Sequence, residues 1–198
     1  MDINEVYSEA LKALRDGGLI LYPTDTVWGI GCDATNEAAV EKVFALKRRS
    51  GAKSLVLLCS DLDMVAKHVR EIPSIAIDLV EVNDAPMTII YPGAQYLAPN
   101  AVAEDGTVGM RIPCVPEDGS MAPGVFCREL VRRLRRPLVS TSANISGEPT
   151  PECFDEISEE IRKGVDYVVP KALEAASTGR ASQIIKIGLH GEVEIIRK

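Results

Sequence analysis

The chain has 198 residues, 46% of them apolar, and a formal net charge of −7. That apolar share supports a real core, and the length suits one domain over residues 1–198. The negative balance excludes a global field that would draw the chain onto nucleic acid or anionic membrane, so any polyanion site has to be a local cationic cluster.

Ile3, Val6, Tyr7, Ala10, Leu11 and Leu14 recur at helical spacing, and Gly17-Gly18 ends that helix. Leu19 to Tyr22 is a short apolar run, read as a buried strand. Pro23-Thr24-Asp25-Thr26 leaves it as a loop, and Val27 to Gly31 resumes extended backbone. Asn36 caps a helix carrying Ala39, Val40, Val43, Phe44 and Leu46, and Asp61 caps a shorter one. Ser54 to Cys59 reads as a strand between them. Pro73 starts a helix ending near Val82, and strands follow at Met87 to Tyr91 and Thr107 to Ile112. Val125 to Leu134 is a helix, Leu138 to Ser140 a strand, Glu152 to Arg162 a helix and Val165 to Val169 a strand. Ile184 to Ile187 and Val193 to Ile196 read as a closing hairpin around His190-Gly191. Ala94 to Asp105 reads as a surface loop and Lys171 to Ala181, rich in small residues, as a mobile flap. The alternation makes the class α/β, with a mixed sheet.

Five cysteines (Cys32, Cys59, Cys114, Cys127, Cys153) are scattered, and His68 and His190 have no ligand-like neighbours. Zinc and a disulfide framework are therefore not expected; small buried hydrophobes in a reducing cytosol are. There is no long apolar span and no basic-then-apolar leader, so the expectation is a cytoplasmic protein without a membrane partner.

Three segments carry chemistry. Ser140-Thr141-Ser142-Ala143-Asn144-Ile145-Ser146-Gly147 leaves the end of an apolar strand, where α/β sheets bind ligands, although Ser, Asn and Gly also make ordinary turns. In Tyr22-Pro23-Thr24-Asp25-Thr26-Val27-Trp28, Asp25 either orients backbone amides, holds a metal-bound water, or closes an Asx turn. Trp28, the one tryptophan, reads by default as core packing. Lys47-Arg48-Arg49-Ser50-Gly51-Ala52-Lys53 places four cations in an acidic protein. Lys47, Arg49 and Lys53 converging suits a triphosphate, while the bland reading is helix C-terminal charge. Arg111 in an apolar strand needs a partner, and a ligand carboxylate is a natural one. Arg128, Arg132, Arg133, Arg135 and Arg136 read mostly as a solvated helix face. No P-loop, dinucleotide fingerprint or nucleophile elbow is present, so ATP has to be held by another arrangement.

Taken together, Tyr22-Pro23-Thr24-Asp25-Thr26-Val27, Lys47-x-Arg49 with Lys53, Val108-Gly109-Met110-Arg111-Ile112-Pro113, Ser142-Ala143-Asn144-Ile145-Ser146-Gly147, Ser182 and Arg197 resemble the YrdC-like family of threonylcarbamoyl-AMP synthases over essentially the whole length. The resemblance implies an open, twisted mixed sheet flanked by helices, with a concave central cleft. It implies that ATP, L-threonine and bicarbonate are joined into L-threonylcarbamoyladenylate, with release of pyrophosphate, for N6-threonylcarbamoylation of tRNA by downstream transfer proteins. By this analogy Thr26, Arg111, Ser140 and Ser182 hold threonine. Arg49, Lys53, Thr107, Ser142, Asn144, Thr150 and Arg197 hold the nucleotide. Lys47 and Arg49 act on the phosphates as the catalytic cations, with Mg2+ bound alongside ATP. The chain departs from the family's usual pattern at Trp28 (usually tyrosine), at Ser54 (usually proline), at Val56-Leu57-Leu58-Cys59 (usually with a histidine) and at Asn83-Asp84-Ala85-Pro86 (usually Trp-Pro-Gly). The extra C-terminal domain of longer relatives is not expected here. The alternative is a divergent paralogue acting mainly as an RNA- or nucleotide-binding protein, with weak contact to tRNA or double-stranded RNA.

Overall fold

Apolar runs too short to span a helix become the strands of this protein, and apolar residues repeating every three or four positions become the helices that cover them. The computed structural model describes residues 1–49, 55–174 and 177–198. Helix α1 (Ile3–Arg15) buries Val6, Tyr7, Ala10, Leu11 and Leu14 and is capped by Asp2, whose carboxylate accepts from Asn4 N–H. Strands β1 (Ile20–Tyr22) and β2 (Gly29–Gly31) follow. Asn36 caps α2 (Glu37–Leu46), and after β3 (Val56–Leu58) Asp61 caps α3 (Leu62–His68), both as expected from their side-chain oxygens. Then come α4 (Ser74–Val82), β4 (Met87–Tyr91), β5 (Val108–Arg111), α5 (Pro123–Leu134), β6 (Leu138–Ser142), α6 (Glu159–Lys163) and β7 (Tyr167–Val168). The hairpin of β8 (Gln183–Ile187) and β9 (Val193–Arg197) closes the chain.

The strands form one nine-stranded sheet in the order β7-β1-β2-β6-β3-β5-β4-β8-β9. It is mixed: β1–β7, β3–β5 and β4–β8 run parallel, and the other pairs antiparallel. Register then assigns side chains to faces, because directly paired residues project the same way and neighbours along a strand project oppositely. Gly29 pairs with Ser142, Val56 with both Ser140 and Gly109, and Thr88 with Ile184, so these share one face with Arg111. Leu57, Met110 and Ile89 are paired on the other.

Several expectations are corrected. The hydroxyl-rich stretch is not a loop from its start: Ser140, Thr141 and Ser142 belong to β6, their backbone groups held by β2 and β3. The helix expected over Glu152 to Arg162 is broken into a 3₁₀ turn (Phe154–Glu156) and α6. The break is local: Glu156 accepts from Glu152 N–H at 2.8 Å, and the Ser158 hydroxyl caps α6, so side chains divert the backbone from one continuous helix. The stretch Ala94 to Asp105 is not all surface, since Ala98 and Ala101 are buried and Ala98 N–H donates to Ala34 O at 2.9 Å. In the segment read as a flap, Thr178 N–H donates to Asp25 O and Gly179 N–H to Thr26 O, at 3.0 and 2.9 Å; Ala175 and Ala176 lie outside the described residues. The cysteines are free thiols, with Cys32, Cys59 and Cys127 buried and Cys114 and Cys153 half-buried.

Helix α5 backs the sheet beside α1, with Tyr7 and Phe126 stacked at 5.0 Å. Its first turn lies against the segment after β5: a Cβ on Gly124 would stand 1.7 Å from the Cys114 carbonyl oxygen. No larger side chain fits without moving backbone. Gly124→Ala is expected to cost about 2 kcal/mol or more, read as a lowered midpoint in urea unfolding.

Candidate active site

The face carrying Ser140, Ser142, Gly109 and Arg111 opens into a cleft of about 650 Å³. Its wall collects the carboxyl ends of β1, β5 and β6, the connection into β2 and the start of β8, the place where open α/β sheets present ligand-binding groups. Arg49, Arg111 and Arg197 line it, with Thr26, Ser140, Ser142, Thr150 and Ser182 between them and no carboxylate among the lining residues. A positive, hydroxyl-rich cleft in a protein of net charge −7 is a site built for an anion.

Arg111 is 4% exposed, and its nearest partner is within the protein. Nη1 donates to Asp25 Oδ1, and Nη2 reaches Thr26 Oγ1 at 3.4 Å. Asp25 Oδ2 accepts from Cys114 N–H at 3.0 Å. The partner that Arg111 was expected to need is found inside the protein: burial of a guanidinium demands a permanent counter-charge, and Asp25 supplies it. Arg111 still lines the cleft, and its Nε–H has no partner among the described residues. For Asp25 the amide-orienting reading holds, with the amide coming from residue 114 instead of from its own turn. Thr24 organises that turn, accepting from Thr26 N–H and Val27 N–H at 3.0 and 3.2 Å.

Lys47 follows α2 and is 3% exposed. Its ammonium donates to the carbonyls of Ser142 and Asn144, the latter at 2.6 Å, and its own carbonyl accepts from Ser146 N–H at 2.9 Å. It therefore clamps the turn after β6. Burial, and next the charge of Arg49, lowers its ammonium to about 8. Arg48 takes a left-handed φ of 50° and turns outward to pair with Glu160 at 2.7 Å. That kink returns the chain toward the cleft at Arg49, which also lines an adjoining recess of about 310 Å³ with Lys47, Ser142, Asn144 and Gly147. Burial lowers the Arg49 guanidinium as well. Lys53 lies outside the described residues.

Asn144 spends its amide N–H groups on Ile145 O and Glu148 O, at 3.0 and 2.8 Å, and leaves Oδ1 buried without a partner among the described residues. Arg197 donates Nε and Nη2 to Ser182 O at 2.9 and 2.7 Å. Thr107 stands apart: it is not among the residues lining the cleft, and its hydroxyl donates to Asp105 at 2.6 Å in an Asx turn. Those Thr107 hydrogen bonds, and next Lys186, hold the Asp105 carboxyl at about 2. Two neighbours escaped the sequence reading. Thr88, fully buried, shares a hydrogen bond of 2.8 Å with the Ser182 hydroxyl; its only signal was a polar residue inside an apolar strand. Glu174 accepts from Trp28 Nε1 at 2.7 Å and from Phe154 N–H, and nothing in the sequence marks it. Trp28 is core packing and cleft wall at once. In the arginine group, Arg132 and Arg133 both pair with Glu129 and Arg136 pairs with Asp33, so much of its charge is spent internally. No helix among the described residues is long and apolar enough to cross a membrane.

The fold and cleft define an α/β protein that binds an anionic ligand between arginines and hydroxyls without a P-loop. The chain belongs to the Sua5/YciO/YrdC family, whose model, described as "Telomere recombination", matches residues 12–198. A Stenotrophomonas maltophilia protein named threonylcarbamoyl-AMP synthase is 34% identical over 163 residues, covering 81% of this chain and 83% of that protein. One of the same name from Idiomarina loihiensis is 30% identical over 183 residues, 90% of each. The crystal structure of P. abyssi Sua5 complexed with L-threonine superposes with a TM-score of 0.76 at 23% identity, over 94% of this chain and 52% of that one. The chain thus spans about half of that protein's length, and the likeness is one of fold.

Two outcomes test this geometry. Asp25→Asn keeps the shape and strands the Arg111 charge, so a loss of about 3–5 kcal/mol is expected, seen as a melting temperature lowered by about 10 °C. Burial lowers the folded Lys47 ammonium to about 8 from its ordinary 10.5. Its burial penalty is therefore complete below about 8 and is relieved as pH rises toward 10.5. In 13C spectra of labelled lysine, an ε-carbon with a midpoint near 8 should be present, and it should vanish in Lys47→Met.

Proposed function

We propose that this protein is a threonylcarbamoyl-AMP synthase: a nucleotidyltransferase that forms L-threonylcarbamoyladenylate and pyrophosphate from L-threonine, bicarbonate and ATP. The observation that carries the reading is the carboxylate-free cleft, where Arg49, Arg111 and Arg197 converge with Ser140, Ser142 and Ser182. Threonine is assigned to the end formed by Thr26, Arg111, Ser140 and Ser182, with its carboxylate toward the guanidinium edge that Asp25 leaves free. The nucleotide is assigned to Arg49, Ser142, Asn144, Thr150 and Arg197, with Lys53 joining from the basic loop. Thr107 is left out of this assignment, because its hydroxyl is committed to Asp105.

In the reaction a carbamate oxygen bonds to the α-phosphorus of ATP as the bond to the β-phosphate oxygen breaks and pyrophosphate departs. Little covalent chemistry is asked of the protein, so alignment and neutralisation of the departing charge dominate. Arg49 supplies positive charge directly. Lys47 acts through the turn it clamps, fixing where Ser142 and Asn144 stand. Asp25 is occupied, and no cluster of His, Cys, Asp or Glu among the described residues could hold a metal ion. Magnesium is therefore assigned to the triphosphate of ATP. That ion, when bound, adds charge neutralisation on the phosphates. The product is the activated group for tRNA N6-threonylcarbamoyladenosine formation, handed to downstream transfer proteins. The internally paired arginines of α5 support only weak RNA contact.

Mass spectrometry of the reaction with ATP, magnesium, bicarbonate and L-threonine should show threonylcarbamoyl-adenylate that requires both threonine and bicarbonate. Neither adduct nor pyrophosphate from folded, ATP-binding protein would overturn the reading in favour of a divergent paralogue. Arg111→Lys keeps a cation for Asp25 but loses the planar fork, so the KM for threonine should rise by about 10-fold or more with that for ATP unchanged. Arg49→Met should reverse that pattern.

A further inference from the structure

We propose that the protein has a second ligand site, on the opposite face of the sheet from the cleft, that takes an organic ammonium ion with an apolar body and a hydrogen-bonding group at its far end. A cavity of about 760 Å³ lies there, larger than the cleft and within the size range of small-molecule sites. Its floor follows from strand parity. Met87, Ile89 and Tyr91 are alternate residues of β4, and Met110 and Ile112 are alternate residues at and just after β5, so the side chains that face away from the arginines gather here. Methionines make such a floor adaptable to the shape of an apolar body.

Two observations specify the ligand beyond apolar. Tyr91 is 1% exposed and lines the cavity, yet among the described residues no hydrogen bond reaches its hydroxyl. A hydroxyl on a cavity-lining residue that the protein itself leaves unused is open to a polar group of a ligand. The rim is acidic: Glu81, Asp84 and Glu117 line it, and none makes an ion pair among the described residues. Asp61 adds a fourth carboxylate, bonded to Ser60 Oγ and Met64 N–H, against the single cation Arg128. An anion is therefore repelled and a cation held at the mouth. Val82, 79% exposed on the same rim, leaves apolar surface for the body of the ligand to cover.

The test is a titration of the full chain carrying methyl-13C methionine, with tyramine, phenethylammonium and 3-(4-hydroxyphenyl)propanoate as probes. Met87 and Met110 report the cavity, and Met1, which is not among the lining residues, serves as a control. Tyramine should shift Met87 and Met110 saturably at millimolar concentration. The carboxylate analogue should bind at least about 10-fold more weakly, and a Glu81→Gln/Glu117→Gln variant should narrow that gap. Tyramine should also bind about 3-fold or more tighter than phenethylammonium, and Tyr91→Phe should erase that difference while both probes still bind. Absence of saturable shifts at Met87 and Met110, equal binding of the carboxylate, or equal binding of tyramine and phenethylammonium to the unmodified protein would each overturn the proposal. Because the readout is binding on the far face, it stands or falls independently of threonylcarbamoyl-AMP synthesis.

Discussion

The buried ion pair of Asp25 and Arg111 is the constraint around which this molecule is arranged. The two residues are 86 apart in sequence, and each side chain is almost wholly removed from water. Such a pair gives little net stability over an apolar contact, because desolvation offsets the attraction. It supplies definition instead. Asp25 binds the guanidinium of β5 with one oxygen and the amide of Cys114 with the other, while its backbone carbonyl receives Thr178. The segments around residues 25, 111–114 and 178 are thereby joined at one residue, beside the cleft.

A second device works on the other side of the cleft by the same logic. A lysine buried against backbone carbonyls is costly unless its donors are used, and Lys47 uses them on Ser142 and Asn144. The left-handed residue after it, Arg48, sends one arginine outward to Glu160 and the next inward. Cation and turn are therefore set together: Ser142 and Asn144 are held by a positive charge that itself lies behind them.

Much of this was legible in the sequence because it rests on local rules. Asn36 and Asp61 cap helices because their side chains reach the amides of the first turn, and the β8–β9 hairpin follows from two apolar runs around His190-Gly191. The residues of the cleft were legible as ordered motifs. Their partners were not. Asp25 finding Arg111, Thr88 finding Ser182 and Glu174 finding Trp28 are contacts between segments 86, 94 and 146 residues apart, and no local pattern encodes them. Where local signals compete, as in the helix broken between Glu156 and Ser158, periodicity reads one element where hydrogen bonds make two. Thr107 stands outside the cleft lining for a related reason: its hydroxyl donates to the nearer carboxylate of Asp105.

Strand β5 separates two unlike environments, with Gly109 and Arg111 toward the cationic cleft and Met110 and Ile112 toward the acidic-rimmed cavity. A partition one residue thick cannot be edited by length. Inserting or deleting a single residue within it would send the guanidinium among methionines and a methionine to Asp25, exchanging both environments at once. Change along this strand is therefore confined to point substitution, and the freedom to lengthen or shorten belongs to the loops at its ends. The two faces share one reading frame, so neither can drift in register without the other.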